Sequence, residues 1–327
     1  MQTVLLDPEA VTASTEMGEV IDAVESAFAA YADGDTQMPA KSYIDLPQHN
    51  GDFRSMPAYI ETDDWEAAGV KWVNSHADNP ERHGLPTVMG TMIYSDPETA
   101  FPLALMDGTG LTRLRTGAAA AVATRYLAAE DATSLGLVGA GIQAYTQLEA
   151  IAQVRDVQTV VISDLREEAI EAFIDEFAGE FDVREGSITE AASCDIVSTT
   201  TPVTEPIVEA VGEHTHINAM GADAPGKNEI AFDVVADATI VIDDYEQCTH
   251  SGEINVPWSD GRLDDDDLHG ELGDVVTGRV DRPDPDGVTL FDSTGLAIQD
   301  VAAARVIYQH ATENDIGTEF ALVGTDT

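Results

Sequence analysis

Near the start of the chain, Val20, Ile21, Val24, Phe28 and Ala29 recur at helical spacing and predict an amphipathic helix over residues 16–33. The pattern then breaks. Pro39, Pro47, Gly51 and Pro57 punctuate short extended pieces such as Lys41–Leu46 and Val70–Val73, so this region reads as mixed α+β and loop-rich. The run Arg115-Thr116-Gly117-Ala118-Ala119-Ala120-Ala121-Val122-Ala123 predicts a helix over Thr112–Ala128, with sides small enough to pack tightly against another backbone. From residue 133 onward, short apolar runs alternate with amphipathic ones. Strands are expected at Ser134–Val138, Thr159–Ser163, Asp195–Thr199, His216–Met220, Thr239–Ile242 and Val288–Phe291, and helices at Tyr145–Val154 and Arg166–Phe181. Such alternation argues for a parallel sheet covered on both faces. Residues 259–287 read as an acidic, Gly- and Pro-rich excursion, and a last helix is expected over Ala297–Ala311.

Between the first of these strands and its helix stands Gly139-Ala140-Gly141-Ile142-Gln143-Ala144. In a Gly-x-Gly-x-x-Ala turn the first glycine permits the tight bend and the second lets backbone approach a pyrophosphate. The small third position allows close helix–strand packing, and the phosphate rests on the helix N-terminus. Taken alone, the motif also suits a structural glycine turn; its context decides. Asp164 ends the next strand, where a carboxylate accepts hydrogen bonds from an adenosine ribose and repels a 2′-phosphate, which points to NAD. Arg166, two residues on, partly offsets that preference. The fold class is therefore α/β, a Rossmann-type dinucleotide-binding domain over 117–296 and a mixed α+β domain formed by 1–116 and 297–327. Further cofactor contacts are expected from Thr200, Thr201, Gly221, Ala222 and Ser293, with Thr294 beside it.

Charge changes the picture most. There are 15 basic and 61 acidic residues, a formal net charge of −46. That field disfavours nucleic acid and anionic membrane as partners, because both are bound through cations. The apolar periodicity and aromatics exclude general disorder, so the charge reads as a solvated, halophilic shell. A melting curve that is the same in millimolar as in molar salt would contradict this. Apolar runs stop well short of the roughly 18 residues that span a bilayer. No basic leader is seen at the start, so the expected location is cytoplasmic. Cys194 and Cys248 form no framework, and neither the Asp264–Asp267 run nor His214 and His216 has ligand spacing, so no metal is expected. Of the 15 basic residues only Lys41, Lys71 and Lys227 are lysines, which marks these three as retained for chemistry or fixed contacts.

Several segments carry a family resemblance: Phe53-Arg54-Ser55-Met56-Pro57-Ala58, Gly69-Val70-Lys71-Trp72-Val73-Asn74 and Leu111-Thr112-Arg113-Leu114-Arg115-Thr116-Gly117-Ala118. To these are added His216–Asp223 with Pro225-Gly226-Lys227, and Phe291-Asp292-Ser293-Thr294-Gly295-Leu296-Ala297. Together they resemble the ornithine cyclodeaminase/mu-crystallin family from about residue 38 to the final helix. Met38-Pro39-Ala40-Lys41 and the closing Asp292–Asp300 segment are most similar to its archaeal-type alanine dehydrogenases. The resemblance implies a small amino-acid or keto-acid substrate, a catalytic role for Lys71 and Asp223, and a homodimer built through the first domain.

The residues agree with that implication. A substrate carboxylate in so acidic a protein needs fixed cations, and Arg54, Lys41 and Arg115 stand in Gly- and Pro-bounded segments. A guanidinium suits bidentate carboxylate binding, and Arg115 could instead touch the cofactor. Lys71, beside Val70 and Trp72 and near other cations, should have a lowered pKa fit for proton transfer. Asp223 follows a strand at the ligand edge of the sheet and could orient an ammonium or water. The activity implied is NAD-dependent oxidative deamination of L-alanine to pyruvate and ammonia, and the reverse. Alternatives are reduction of cyclic imino acids such as pyrroline-2-carboxylate, an ornithine cyclodeaminase-like lyase, or a non-enzymatic ligand binder. The cyclodeaminases resembled here carry Glu in place of Arg54, which argues against the lyase.

Overall fold

Long antiparallel strands dominate the first part of the computed structural model, which describes residues 1–284 and 286–324. The strands are β1 (Thr3–Leu6), β2 (Thr36–Gln37), β3 (Ser42–Leu46), β4 (Gly51–Glu61), β5 (Glu66–His76), β6 (Val88–Ser95) and β7 (Pro102–Asp107). Chain contacts divide the protein into two units, Met1–Arg115 together with the chain from Leu296 onward, and Thr116–Gly295. In the first unit the sheet order is β16-β1-β7-β6-β5-β4-β2, with β3 also on β4 and β16 supplied by Thr318–Phe320.

The short pieces expected around Val70 are in fact one hairpin, paired without a break from Gly51 opposite His76 to Glu61 opposite Glu66. Pro57 misleads the reading because proline cannot donate to a ladder. Here it falls opposite the gap between the β3 register, which ends at Ser42 on Ser55, and the β2 register, which begins at Gln37 on Tyr59. The missing N–H therefore breaks no pairing there. Helix Ala297–Glu313 covers β4, β5 and β6 on one face, backed by helix Met17–Asp33. That face carries Met56, Ala58, Ile60, Ala67, Lys71 and Val73, all buried.

In the second unit eight parallel strands form the sheet: β8 (Ser134–Val138), β9 (Thr159–Ser163), β10 (Asp182–Glu185), β11 (Ile196–Thr199), β12 (His216–Ala219), β13 (Thr239–Ile242), β14 (Leu268–Glu271) and β15 (Thr289–Asp292). Their order is β10-β9-β8-β11-β12-β15-β13-β14. Connections run outward one way from β8 through β9 to β10 and the other way from β11, so the order reverses between β8 and β11. That is where doubly wound sheets bind ligands. The excursion expected over 259–287 is partly structured: it contributes edge strand β14 and helix Leu272–Thr277. Acidity conceals it, since β14 alternates Leu268, His269, Gly270 and Glu271 with no apolar run.

Helix Gly108–Leu127 begins four residues before its expected start, where Asp107 accepts from the backbone N–H of Thr109 and Gly110. Ala118 to Ala123 are fully buried. A Cβ at Gly117 would collide with the carbonyl of Thr146, so the glycine lets this helix lie against the backbone of helix Ile142–Ile151. No helix among the described residues is long and apolar enough to cross a membrane.

Candidate active site

Lys71 sits at the middle of β5, paired to Met56 on one side and Met92 on the other. Its sequence neighbours Val70 and Trp72 point to the opposite face, as successive strand residues must. The desolvation expected from them comes instead from the two buried methionines and helix Ala297–Glu313. The Lys71 side chain is 1% exposed. Its Nζ donates to Asp300 Oδ1 at 2.7 Å and to Thr112 Oγ1 at 3.1 Å. The same Asp300 oxygen accepts from Arg115 Nε at 3.0 Å, and Arg115 Nη1 donates to Gln299 Oε1 at 3.0 Å. Burial pushes the Lys71 pKa down to about 7, with Arg115 and Lys41 adding to the fall and Asp300 opposing it. An amine poised there exchanges a proton readily in either direction near neutrality.

Asp300 and Thr112 were not singled out by sequence. Asp300 had one available signal, a carboxylate standing among the apolar positions of helix 297–313, where a satisfied partner is required. Its Oδ2 and the Nε2 of Gln299 are buried without a hydrogen-bond partner. Buried orphan groups are rare outside functional sites. Arg54 lies on β4, largely buried. Its Nε and Nη2 donate to Asp52 at 3.1 and 2.9 Å, so its fork is shared with an acid. Lys41 precedes β3 and is half-buried.

In the second unit Gly139 follows β8 with φ +105°, a conformation that favours glycine, and a Cβ there would stand 3.0 Å from Thr200 Oγ1. Helix Ile142–Ile151 starts three residues earlier than the sequence suggested, directly on the loop, and its N-cap Gly141 offers no side-chain cap. Space in front of Gly141 is open, Ile142 is exposed, Ala144 is buried, and Gln143 Oε1 is a buried acceptor without a partner. Asp164 Oδ2 accepts from the Ala140 N–H at 2.7 Å, and Oδ1 from the Arg166 N–H at 2.9 Å. Although burial acts to raise it, bonds from Arg166 and Ala140 hold Asp164 below the usual carboxylate range. Arg166 folds back onto Asp164 (Nε to Oδ1, 3.1 Å) and adds to its charge balance. A glycine bend, an uncapped helix N-terminus and a carboxylate anchored to the loop fit a dinucleotide.

The other expected residues cluster at the same sheet edge. The Thr200 N–H donates to Val138 O, while Thr201 donates its N–H and hydroxyl to Glu229 Oε1, each at 2.7 Å. The Gly221 N–H donates to Glu229 Oε2 at 3.1 Å, and Ala222 is buried. Ser293 is buried and donates its hydroxyl to Asp243 Oδ2 at 2.9 Å; Asp243 also accepts from the Thr294 and Gly295 N–H groups. Asp223 is over a third exposed and pairs with Lys227 Nζ at 2.5 Å. His216 is spent on Thr289 and Asn218, and burial takes its pKa down to about 3, so it stays neutral.

The ornithine cyclodeaminase/mu-crystallin family model matches residues 1–315. An alanine dehydrogenase of Archaeoglobus fulgidus is 46% identical over 324 residues, covering 98% of each chain. Among solved structures, an archaeal alanine dehydrogenase dimer with bound NAD superposes with a TM-score of 0.93 at 45% identity, covering 99% of this chain and 100% of the other. The Thermococcus litoralis Δ1-pyrroline-2-carboxylate reductase, in complex with NADH and L-proline, gives 0.92 at 35% identity, covering 97% and 99%.

Proposed function

Because this chain belongs to the ornithine cyclodeaminase/mu-crystallin family, we propose that it is an NAD-dependent alanine dehydrogenase, interconverting L-alanine with pyruvate and ammonia. The observation that carries the chemistry is Lys71, buried and shared with Arg115 on one Asp300 oxygen. Similarity at 46% identity to the A. fulgidus enzyme carries the choice of alanine. Gly139–Ala144, Asp164 and the Thr200–Thr201 turn are the residues that would hold the dinucleotide. The chemistry it supplies when bound is acceptance of the C2 hydrogen as hydride.

In the oxidative direction neutral Lys71 takes a proton from the substrate ammonium and releases it to solvent. It then takes one from the water that adds to C2 and hands it to the nitrogen, which leaves as ammonia as the hydroxyl loses its proton and pyruvate forms. In the reverse direction the same transfers run backwards. Arg54, Lys41 and Arg115 supply the positive charge that holds the carboxylate. Asp223, paired with Lys227 and partly exposed, orients an ammonium or water. Reduction of pyrroline-2-carboxylate is a second reading, favoured by the T. litoralis likeness. It uses the same proton donor without ammonia. Steady-state comparison of the two substrates decides: alanine oxidation with the higher kcat/KM supports the first, turnover of the cyclic imine alone supports the second.

We also infer a homodimer through the first unit. The sheet face turned away from helix Ala297–Glu313 carries Phe53, Val70, Trp72, Ile93 and Leu105, and Phe53 stacks on Trp72 with centroids 5.2 Å apart. A solvent-facing antiparallel strand ordinarily alternates with polar residues, so this face reads as one awaiting a partner. The archaeal alanine dehydrogenase it resembles is a dimer.

A further inference from the structure

At the edge where β11 and β12 end, three buried carboxylates are linked in series. Glu229 accepts four hydrogen bonds: from the Thr201 N–H and hydroxyl on Oε1, and from Thr199 Oγ1 at 2.8 Å and the Gly221 N–H on Oε2. The Glu229 N–H in turn donates to Glu253, at 2.8 Å to Oε1 and 3.0 Å to Oε2, and the Ile230 N–H reaches Oε1 at 2.7 Å. The Glu253 and Ile254 N–H groups donate to Asp292, at 2.8 Å to Oδ1 and 3.1 Å to Oδ2. All three acids are fully buried. Burying carboxylates is costly unless donors saturate them, and here the donors are largely the backbone amides of the turns themselves.

The three acids thus fasten the turns after β11 and β12 to the end of β15. Thr200 and Thr201 lie on the first of these turns, next to the Gly139 loop; Gly221 and Ala222 lie on the second. A Cβ at Gly221 would collide with Glu229 Oε2 and stand 2.6 Å from the Thr201 carbonyl, so the two turns meet closely around this one carboxylate.

We propose that Glu229 is a positioning residue for the nucleotide, holding the Thr199–Thr201 and Gly221 turns at the separation that dinucleotide binding requires, with Glu253 and Asp292 fixing Glu229 in place. This rests on the NAD reading above. Glu229→Gln keeps the size and one acceptor oxygen but sets an amide N–H against either the Gly221 or the Thr201 donors. The measurement is NADH affinity by fluorescence titration, alongside KM for L-alanine and the melting curve. The Kd for NADH should rise about tenfold while KM for alanine changes less than about twofold. General destabilisation lowers the melting temperature without this split, because the folded fraction binds as before. Thr199→Val removes a single donor from Oε2 and decides the matter should Glu229→Gln not fold; a rise of about threefold is expected. A Kd unchanged from wild type in either folded variant overturns the proposal alone. A wild-type protein that does not bind NADH overturns the NAD reading and this inference with it.

Discussion

Lys71→Met lowers kcat for alanine oxidation about a thousandfold, or ~4 kcal/mol of transition-state stabilisation. The methionine reproduces the apolar stem of lysine as far as Cε, stops one atom short of Nζ, and stands between Met56 and Met92, so the strand keeps its packing. What disappears is the buried amine whose pKa of about 7 lets it take and return a proton near neutrality. Asp300 keeps Arg115 as its partner, which limits the cost of leaving its charge buried. The dinucleotide loop belongs to the other unit, so NADH affinity should stay at the wild-type value. Steady-state kinetics and a binding titration on the same preparation check both halves. Wild-type turnover would remove Lys71 from proton transfer, and loss of binding together with turnover would make the defect one of folding.

Asp300→Asn has the second large effect, and its sign is specific. Titratable or charged groups facing Lys71 are Asp300 from helix Ala297–Glu313, Arg115 from helix Gly108–Leu127 and Lys41 ahead of β3. Asp300 alone raises the lysine pKa against burial and the two cations. Its neutral replacement therefore lowers the Lys71 pKa below about 7. Oxidation needs the neutral amine, so the wild-type rate falls as pH drops through about 7, and in the variant that acid limb moves to lower pH. The substrate's own titration is common to both enzymes, so the displacement reports the lysine. A loss of kcat of about tenfold and of ~3 kcal/mol of stability should accompany it, because Arg115 and Lys71 lose their shared counter-charge. An unmoved limb would leave Asp300 a packing residue.

What the sequence discloses and what it hides follow from distance along the chain. The Gly139–Ala144 loop and Asp164 are local signals: a bend that only glycine adopts readily, a helix start and a strand-end acid lie within one strand–helix–strand unit. Lys71 stands out because lysines are so few. Its partner could not be read, since Asp300 is 229 positions away and only the folded sheet brings helix 297–313 over β5. Glu229, Glu253 and Asp292 are hidden by composition, because three more acids attract no notice among 61. Pro57 suggested a break where β4 is continuous, and the acidic stretch before residue 287 masked β14. In each case the missing information was a pairing partner, which periodicity along one chain does not contain.

Alanine itself is the direct test of the proposed activity. Purified protein given NAD and L-alanine should produce NADH with one pyruvate and one ammonia per NADH, at a rate that climbs as pH rises through about 7. NADH consumed with pyrroline-2-carboxylate, and none formed with alanine at any pH, would contradict it.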